Sequence, residues 1–150
     1  MAYRNVVVGT DGSETAEAAV REAARLAAAC GARVTVVTAF TPHPAATARA
    51  REEAPEELQW MISDANAADQ RATHGREIAR QAGASEVVTR VDSGDPADII
   101  LRAAEDTGGD LIVVGSKGMS SPSRFLLGNV PNKVSHHAPC DVLIVHTSAR

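Results

Sequence analysis

One hundred and fifty residues, 44% of them hydrophobic and 23% charged, make an ordinary globular domain able to bury roughly 70% of its unfolded surface. A second large domain and a disordered chain are thereby excluded, and residues 1–150 are expected to form one domain. A net charge of -4 and an aromatic content of 3% leave neither a basic footprint for a phosphate backbone nor a stacking platform for single strands, which argues against nucleic acid as a partner.

The first apolar run, Asn5-Val6-Val7-Val8-Gly9, is short and β-branched and ends in Thr10-Asp11-Gly12, so it reads as a strand buried on both faces and closed by a turn. Residues 13–30 then follow an Ala-rich helical pattern. Ser13 is the expected N-cap, Glu14 and Glu17 complement the first turn, and Gly31 lies just past the end. Its predicted buried stripe is Ala19, Val20, Ala23, Ala24, Ala27 and Ala28, small enough for close approach to a sheet.

Residues 33–40 form the second predicted strand. Residues 41–54, with two prolines and a mixed charge run at Arg49, Arg51, Glu52 and Glu53, read as an irregular, mobile stretch. Pro55 is predicted to open one long helix to Gly83, carrying Leu58, Met61, Ile62, Ala65, Ala68, Ala72, Ile78 and Ala79, with Arg76 and Arg80 complementing its dipole. Residues 86–91 alternate as a third strand. Asp95-Pro96 supplies an N-cap and a proline at the first helical position, and the helix over 97–106 stops at Gly108-Gly109. The fourth strand covers 111–115. Residues 116–127, rich in Ser and Gly and carrying Lys117 and Arg124, read as a functional loop with one helical turn. Gly128-Asn129-Val130-Pro131 opens a last helix to about His137, and residues 142–146 form a fifth strand before a frayed tail.

This alternation predicts an α/β fold: a five-stranded parallel sheet in the order 3-2-1-4-5, joined by right-handed crossovers, with helices on both faces in a Rossmann-like three-layer sandwich. In such sheets a ligand binds beyond the carboxyl ends of the strands, where the winding reverses, here between strands 1 and 4. Gly9-Thr10-Asp11-Gly12 and Gly115-Ser116-Lys117-Gly118 stand at the ends of these two strands. Glycines there let backbone N–H groups turn toward an anion, and a following helix N-terminus adds unpaired donors. Lys117 and Arg124 would add positive charge. Neither a Walker A sequence nor a G-x-G-x-x-G after the first strand is present, which disfavours a P-loop motor and an ordinary dinucleotide dehydrogenase.

Gly115, Gly118 and Gly128 stand at the spacing G-x2-G-x9-G, and the chain resembles the universal stress proteins in their nucleotide-binding branch, of the adenine nucleotide alpha hydrolase-like fold. The resemblance spans nearly the whole chain, from Val6-Val7-Val8-Gly9-Thr10-Asp11-Gly12-Ser13 through Gly94-Asp95-Pro96 to Val142-Leu143-Ile144-Val145. It implies ATP binding, with Thr10, Asp11 and Ala39 at the adenosine, Val114 and Gly115 on the ribose side, and Gly118, Gly128, Asn129 and Val130, helped by Lys117 and Arg124, at the phosphates, with Gly9 completing the nucleotide-binding set. Asp11 is the candidate to help hold a Mg²⁺ ion riding on those phosphates. The resemblance also implies a homodimer through the last strand, Val142, Leu143, Ile144, Val145 and His146. An apolar edge there independently favours being covered.

One departure bears on the ligand: the family motif has Ser or Thr after the third glycine, where this chain has Asn129, and Pro131 removes a backbone donor two residues later. Some relatives with Val-Pro here, a similar helix after it and a closing Val-Leu-Ile-Val-His-Thr bind cyclic AMP, so the resemblance leaves ATP and cyclic AMP both open. A third reading is a dimeric scaffold that contacts an unknown protein partner without nucleotide.

Plainer readings stand beside these. Asn129 and Pro131 suit helix initiation, Asp11 suits a cap, and Lys117 and Arg124 suit solvated loop charges. His136-His137-x-x-Cys140 lacks a fourth zinc ligand at a recognisable spacing, and Ser116 and Ser120 lack a nucleophile elbow. No catalytic set is predicted, so slow ATP hydrolysis by an ordered water is the most activity expected. Cys30 and Cys140 lie outside any C-x-x-C spacing, and neither a signal-like segment nor an apolar run of membrane length is read. Both observations point to the cytoplasm and to no membrane partner.

Overall fold

The computed structural model describes residues 3–116 and 129–146. Five parallel strands form one sheet: β1 (Asn5–Gly9), β2 (Arg33–Phe40), β3 (Val87–Ser93), β4 (Leu111–Gly115) and β5 (Asp141–Val145), in the order β3-β2-β1-β4-β5. The predicted order and the reversal between β1 and β4 are therefore as observed.

Strand alternation divides the core into two layers of packing. Val6 and Val8 point to the face covered by α1 (Glu14–Cys30) and α3 (Asp64–Gln81), where they meet Ala23, Ala27 and Ala79. Val7 points to the other face, with Ile100 and Ala103 of α4 (Pro96–Thr107) and Val134 of α5 (Asn129–His137). All three valines are fully buried, which accounts for an unbroken apolar run in the central strand. Small side chains on α1 let the helix approach the sheet closely, as predicted, except that Ala28 is exposed.

Helix limits follow local capping. Ser13 Oγ accepts from Ala16 N at 3.2 Å, and Gly31 closes α1 in the left-handed conformation at φ 69°. Asp95 caps α4 by accepting from Asp98 N at 3.2 Å. Below the sheet, buried Asn5 donates to Thr107 Oγ1 at 2.9 Å and accepts from Thr35 Oγ1 at 3.0 Å, leaving the opposite end of the strands to the crevice.

The connection from β2 to α3 departs most from expectation. Residues predicted to be irregular contain α2 (Pro44–Glu53), and the predicted long helix from Pro55 is two pieces, a 3₁₀ segment Glu56–Met61 and α3. The break has a local cause: Ser63 takes an extended conformation and its Oγ accepts from Asn66 N at 2.9 Å, so it caps a new helix. Accordingly Leu58, Met61 and Ala65 are exposed, while Ala68, Ala72 and Ala79 are buried. β3 begins one residue later than predicted and runs on to Ser93, because β2 offers partners as far as Phe40. β5 starts at Asp141 and leaves His146 outside the strand.

Candidate functional site

β1 ends against α4. A Cβ built on Gly9 would lie 2.5 Å from Ile100 Cδ1, so glycine lets α4 close over the strand end. The chain then turns sharply. Thr10 N–H donates to Val37 O at 2.9 Å, extending the pairing of β1 with β2 by one residue. Thr10 Oγ1 accepts from Gly12 N at 3.1 Å and Asp11 Oδ1 from Ser13 N at 2.9 Å. Gly12 takes φ 83°, a conformation that suits glycine. Asp11 thus shapes the turn while Ser13, one link further, caps α1. One carboxylate oxygen of the exposed Asp11 has no partner among the described residues.

The result is a crevice of about 260 Å³ at the reversal point, just under the ~300–1,000 Å³ of typical small-molecule sites. Its floor is the strand ends: Gly9, Thr10 and Asp11 of the first, Val37 and Ala39 of the second, Val114 and Gly115 of the fourth. One wall is the first turn of α1 with Ser13, Thr15 and Ala16; the facing wall is Pro96 and Ile100 of α4 with Val130 and Pro131 of α5. One apolar wall faced by the polar groups of Thr10, Asp11, Ser13 and Thr15 suits a flat, partly apolar molecule carrying a polar head.

The two helices of the facing wall are tied at their starts. Lys133 Nζ on α5 lies 2.8 Å from Asp98 Oδ1 on α4 and 3.3 Å from Oδ2 of Asp95, the N-cap of α4. The bond to Asp98, partly opposed by burial and then helped by the bond to Asp95, holds the ammonium pKa above the ordinary lysine value. This clamp links the helix that carries Pro131 to the start of the helix that carries Pro96.

Of the residues singled out from sequence, Gly9, Thr10, Asp11, Ala39, Val114, Gly115 and Val130 line this one crevice. Asn129 begins α5 as its first helical residue and is exposed, outside the lining. Lys117, Gly118, Arg124 and Gly128 lie outside the described residues, as does most of the loop over 116–127. Pro131, singled out as bearing on the ligand, lines the crevice too. Sequence reasoning missed Ser13, Thr15, Ala16, Val37, Pro96 and Ile100 as lining. Their signal was present: the strand–turn–helix unit puts a helix start beside each strand end, and period two puts Val37 on the face of Ala39.

Among the described residues no group of three His, Cys, Asp or Glu gathers as a metal site, and His136 and His137 are exposed. Cys140 packs half-buried against the α4 side of the core, where burial raises its thiol pKa. No described helix is long and apolar enough to cross a membrane.

The model of the Universal stress protein family matches residues 2–146. The chain belongs to the universal stress protein family. It is 38% identical over 147 residues to the universal stress protein Rv1636 of Mycobacterium tuberculosis (strain ATCC 25618 / H37Rv), covering 98% of this chain and 99% of that one. Among solved structures, a universal stress protein in complex with cAMP is 34% identical, with a TM-score of 0.74 over 99% of this chain and 100% of the other. The universal stress protein from Archaeoglobus fulgidus in complex with dAMP is 25% identical, with a TM-score of 0.66 over 96% and 98%. These structures share the adenine nucleotide alpha hydrolase-like architecture seen here.

Proposed function

We propose that this universal stress protein binds an adenine nucleotide in the crevice between β1 and β4 and acts as a regulator in the stress response, not as a metabolic enzyme. The observation that carries the reading is the crevice itself: seven residues chosen from sequence as nucleotide contacts line it together. The adenosine would lie along Ala39, Thr10 and Val114, and the phosphate would face the end of β4 and the start of α5. Solved relatives holding cAMP and dAMP support an adenine nucleotide as the class of ligand.

Two ligands fit different features. ATP with Mg²⁺ fits Asp11, whose free carboxylate oxygen can take one position on an ion that keeps its waters and rides on phosphates. Cyclic AMP fits Pro131, which is buried, lines the crevice and removes a backbone donor where a long phosphate chain would use one. β5 stands at the sheet edge with Val142, Leu143, Ile144 and Val145 half-buried, and a homodimer paired along this strand, with His146 at its end, would cover it.

Thermal-shift titrations with ATP, cyclic AMP and AMP, each with and without Mg²⁺, test the proposal. Ligand at a hundred times Kd stabilises by about 2.7 kcal/mol, several degrees for a domain of this size. A Mg²⁺-dependent shift with ATP supports the first ligand, and a larger metal-independent shift with cyclic AMP supports the second. No shift with any nucleotide in folded, ligand-free protein returns the reading to a scaffold acting through a protein partner.

A further inference from the structure

The excursion between β2 and α3 buries nothing of its own: neither α2 nor the 3₁₀ segment that follows contributes a buried residue. Yet it is tied down by polar bonds. Asp64 accepts from His43 N and Thr47 Oγ1, each at 2.9 Å, Arg51 Nε donates to Ile62 O at 3.0 Å, and Asn66 Nδ2 donates to Met61 O at 2.8 Å. These bonds hold an apolar surface open to solvent. Leu58, Trp60 and Met61 are 47%, 76% and 41% exposed, and they are three of the four large hydrophobic residues exposed among those described. Beside them runs a groove lined by Ala54, Leu58, Met61, Ile62 and Ala67. Single exposed apolar residues are ordinary, but a contiguous patch beside a groove marks an interaction surface. Tryptophan at its edge is the residue type most often found at binding hot spots.

Charge identifies the occupant. Glu52, Glu53, Glu56 and Glu57 lead into the patch along the chain, all exposed, and none has an ion-pair or hydrogen-bond partner among the described residues. The nearby cations are fewer, Arg49 and Arg51, and Arg51 is engaged with Ile62. Four exposed glutamates on the chain segment leading into an apolar groove repel an anionic membrane surface and repel a second copy meeting it face to face. Glutamates and groove together complement a segment with one apolar face and one basic face.

We propose that the groove at the α2–α3 junction is a docking site for a basic amphipathic helix of another protein, with Leu58, Trp60 and Met61 as the apolar contact and the four glutamates selecting for Lys or Arg. Helix-in-groove recognition of this kind reads apolar anchors three and four residues apart. The surface is separate from the nucleotide crevice and shares no lining residue with it.

Trp60 is the one tryptophan of the chain, so intrinsic emission reports on this patch. The full-length protein is titrated with an 18-residue Leu/Lys amphipathic peptide, with a Leu/Glu peptide of the same pattern, and with a Ser/Lys peptide of equal charge. A saturable blue shift with Leu/Lys alone is expected. Glu56→Lys with Glu57→Lys should weaken it about tenfold by reversing the local charge, and Leu58→Ser with Met61→Ser should do likewise. Glu105→Lys, a charge reversal far from the groove, should leave it unchanged. These positions are solvent-exposed, and an unaltered thermal midpoint confirms that each variant is folded. Absence of a shift with Leu/Lys, an equal shift with Leu/Glu or Ser/Lys, or equal weakening by Glu105→Lys overturns the proposal. So does a blue shift produced by self-association in sedimentation or by anionic vesicles alone.

Discussion

Gly9 and Ile100 meet at the crevice floor, where a Cβ on Gly9 would come within 2.5 Å of Ile100 Cδ1. Because Ile100 is itself a wall residue, the methyl displaced by Gly9→Ala would move into the ligand space. We expect a stability loss of about 1 kcal/mol, at the low end for added methyl groups in a core, and a larger loss of nucleotide affinity. Ile100→Val removes the clashing methyl, so the double variant should recover affinity. Titration of both variants in a double-mutant cycle measures the coupling; additive losses would contradict it.

Asp11 has two separable roles, the turn through one carboxylate oxygen and the proposed metal through the other. Asp11→Asn keeps a carbonyl acceptor for Ser13 N–H but removes the charge. The thermal midpoint without ligand should therefore barely change, while any Mg²⁺-dependent part of ATP binding should disappear. Cyclic AMP binding should persist. Ser13→Ala serves as a contrast, since loss of the α1 cap costs about 1 kcal/mol without ligand.

How far the sequence alone reaches is visible by comparing two stretches. Val6-Val7-Val8 was legible as an unbroken β-branched run closed by a turn, Ala19 to Ala27 because burial repeats with the helical period, and strand order followed from alternation of strands and helices. The residues 55–83 were misread as one helix because their apolar positions keep helical spacing across a break made by Ser63, one residue whose hydroxyl outbids helix continuation. Crevice residues on strand ends were found because topology points there. Ser13 and Thr15 were missed because periodicity does not encode which helix residues line a crevice, although the strand–turn–helix order puts a helix start beside each strand end.

Lys133 holds the starts of α4 and α5 together, so Lys133→Met should loosen the wall made by Pro96 and Pro131. The pKa of Lys133 is raised in the folded protein. Its contribution is thus fully present below the ordinary lysine value of 10.5 and is lost as pH rises through the folded value. Nucleotide affinity of the parent should fall in that alkaline range relative to Lys133→Met, whose weaker affinity should lack this component. Identical pH profiles would sever the clamp from the site.

Asp64 works in the opposite direction. Bonds from His43 N and then Thr47 Oγ1 hold its carboxyl below the ordinary value of 3.8, so its contribution is present above that value and is lost as pH falls through the folded one. Acid should release α2 from α3. Asp64→Asn should show altered Trp60 emission at neutral pH, while the sheet and the crevice keep their nucleotide response. An acid-induced emission change identical in parent and variant would place the titrating group elsewhere.

The last prediction concerns β5, whose outer side carries no strand among the described residues. Ser116 N donates to Val145 O at 2.7 Å, so Val145 and, by alternation, Leu143 direct their backbone groups toward β4. Val142 and Ile144 direct theirs outward. Val142→Pro therefore removes an outward N–H without taking a bond from the β4–β5 ladder, the position at which proline is tolerated on an edge strand. If the protein dimerises by pairing this strand with its copy, Val142→Pro should sediment as a monomer that still binds nucleotide. Leu143→Pro would lose an inward bond and destabilise the fold as well. A dimer that survives Val142→Pro unchanged would move the interface away from β5.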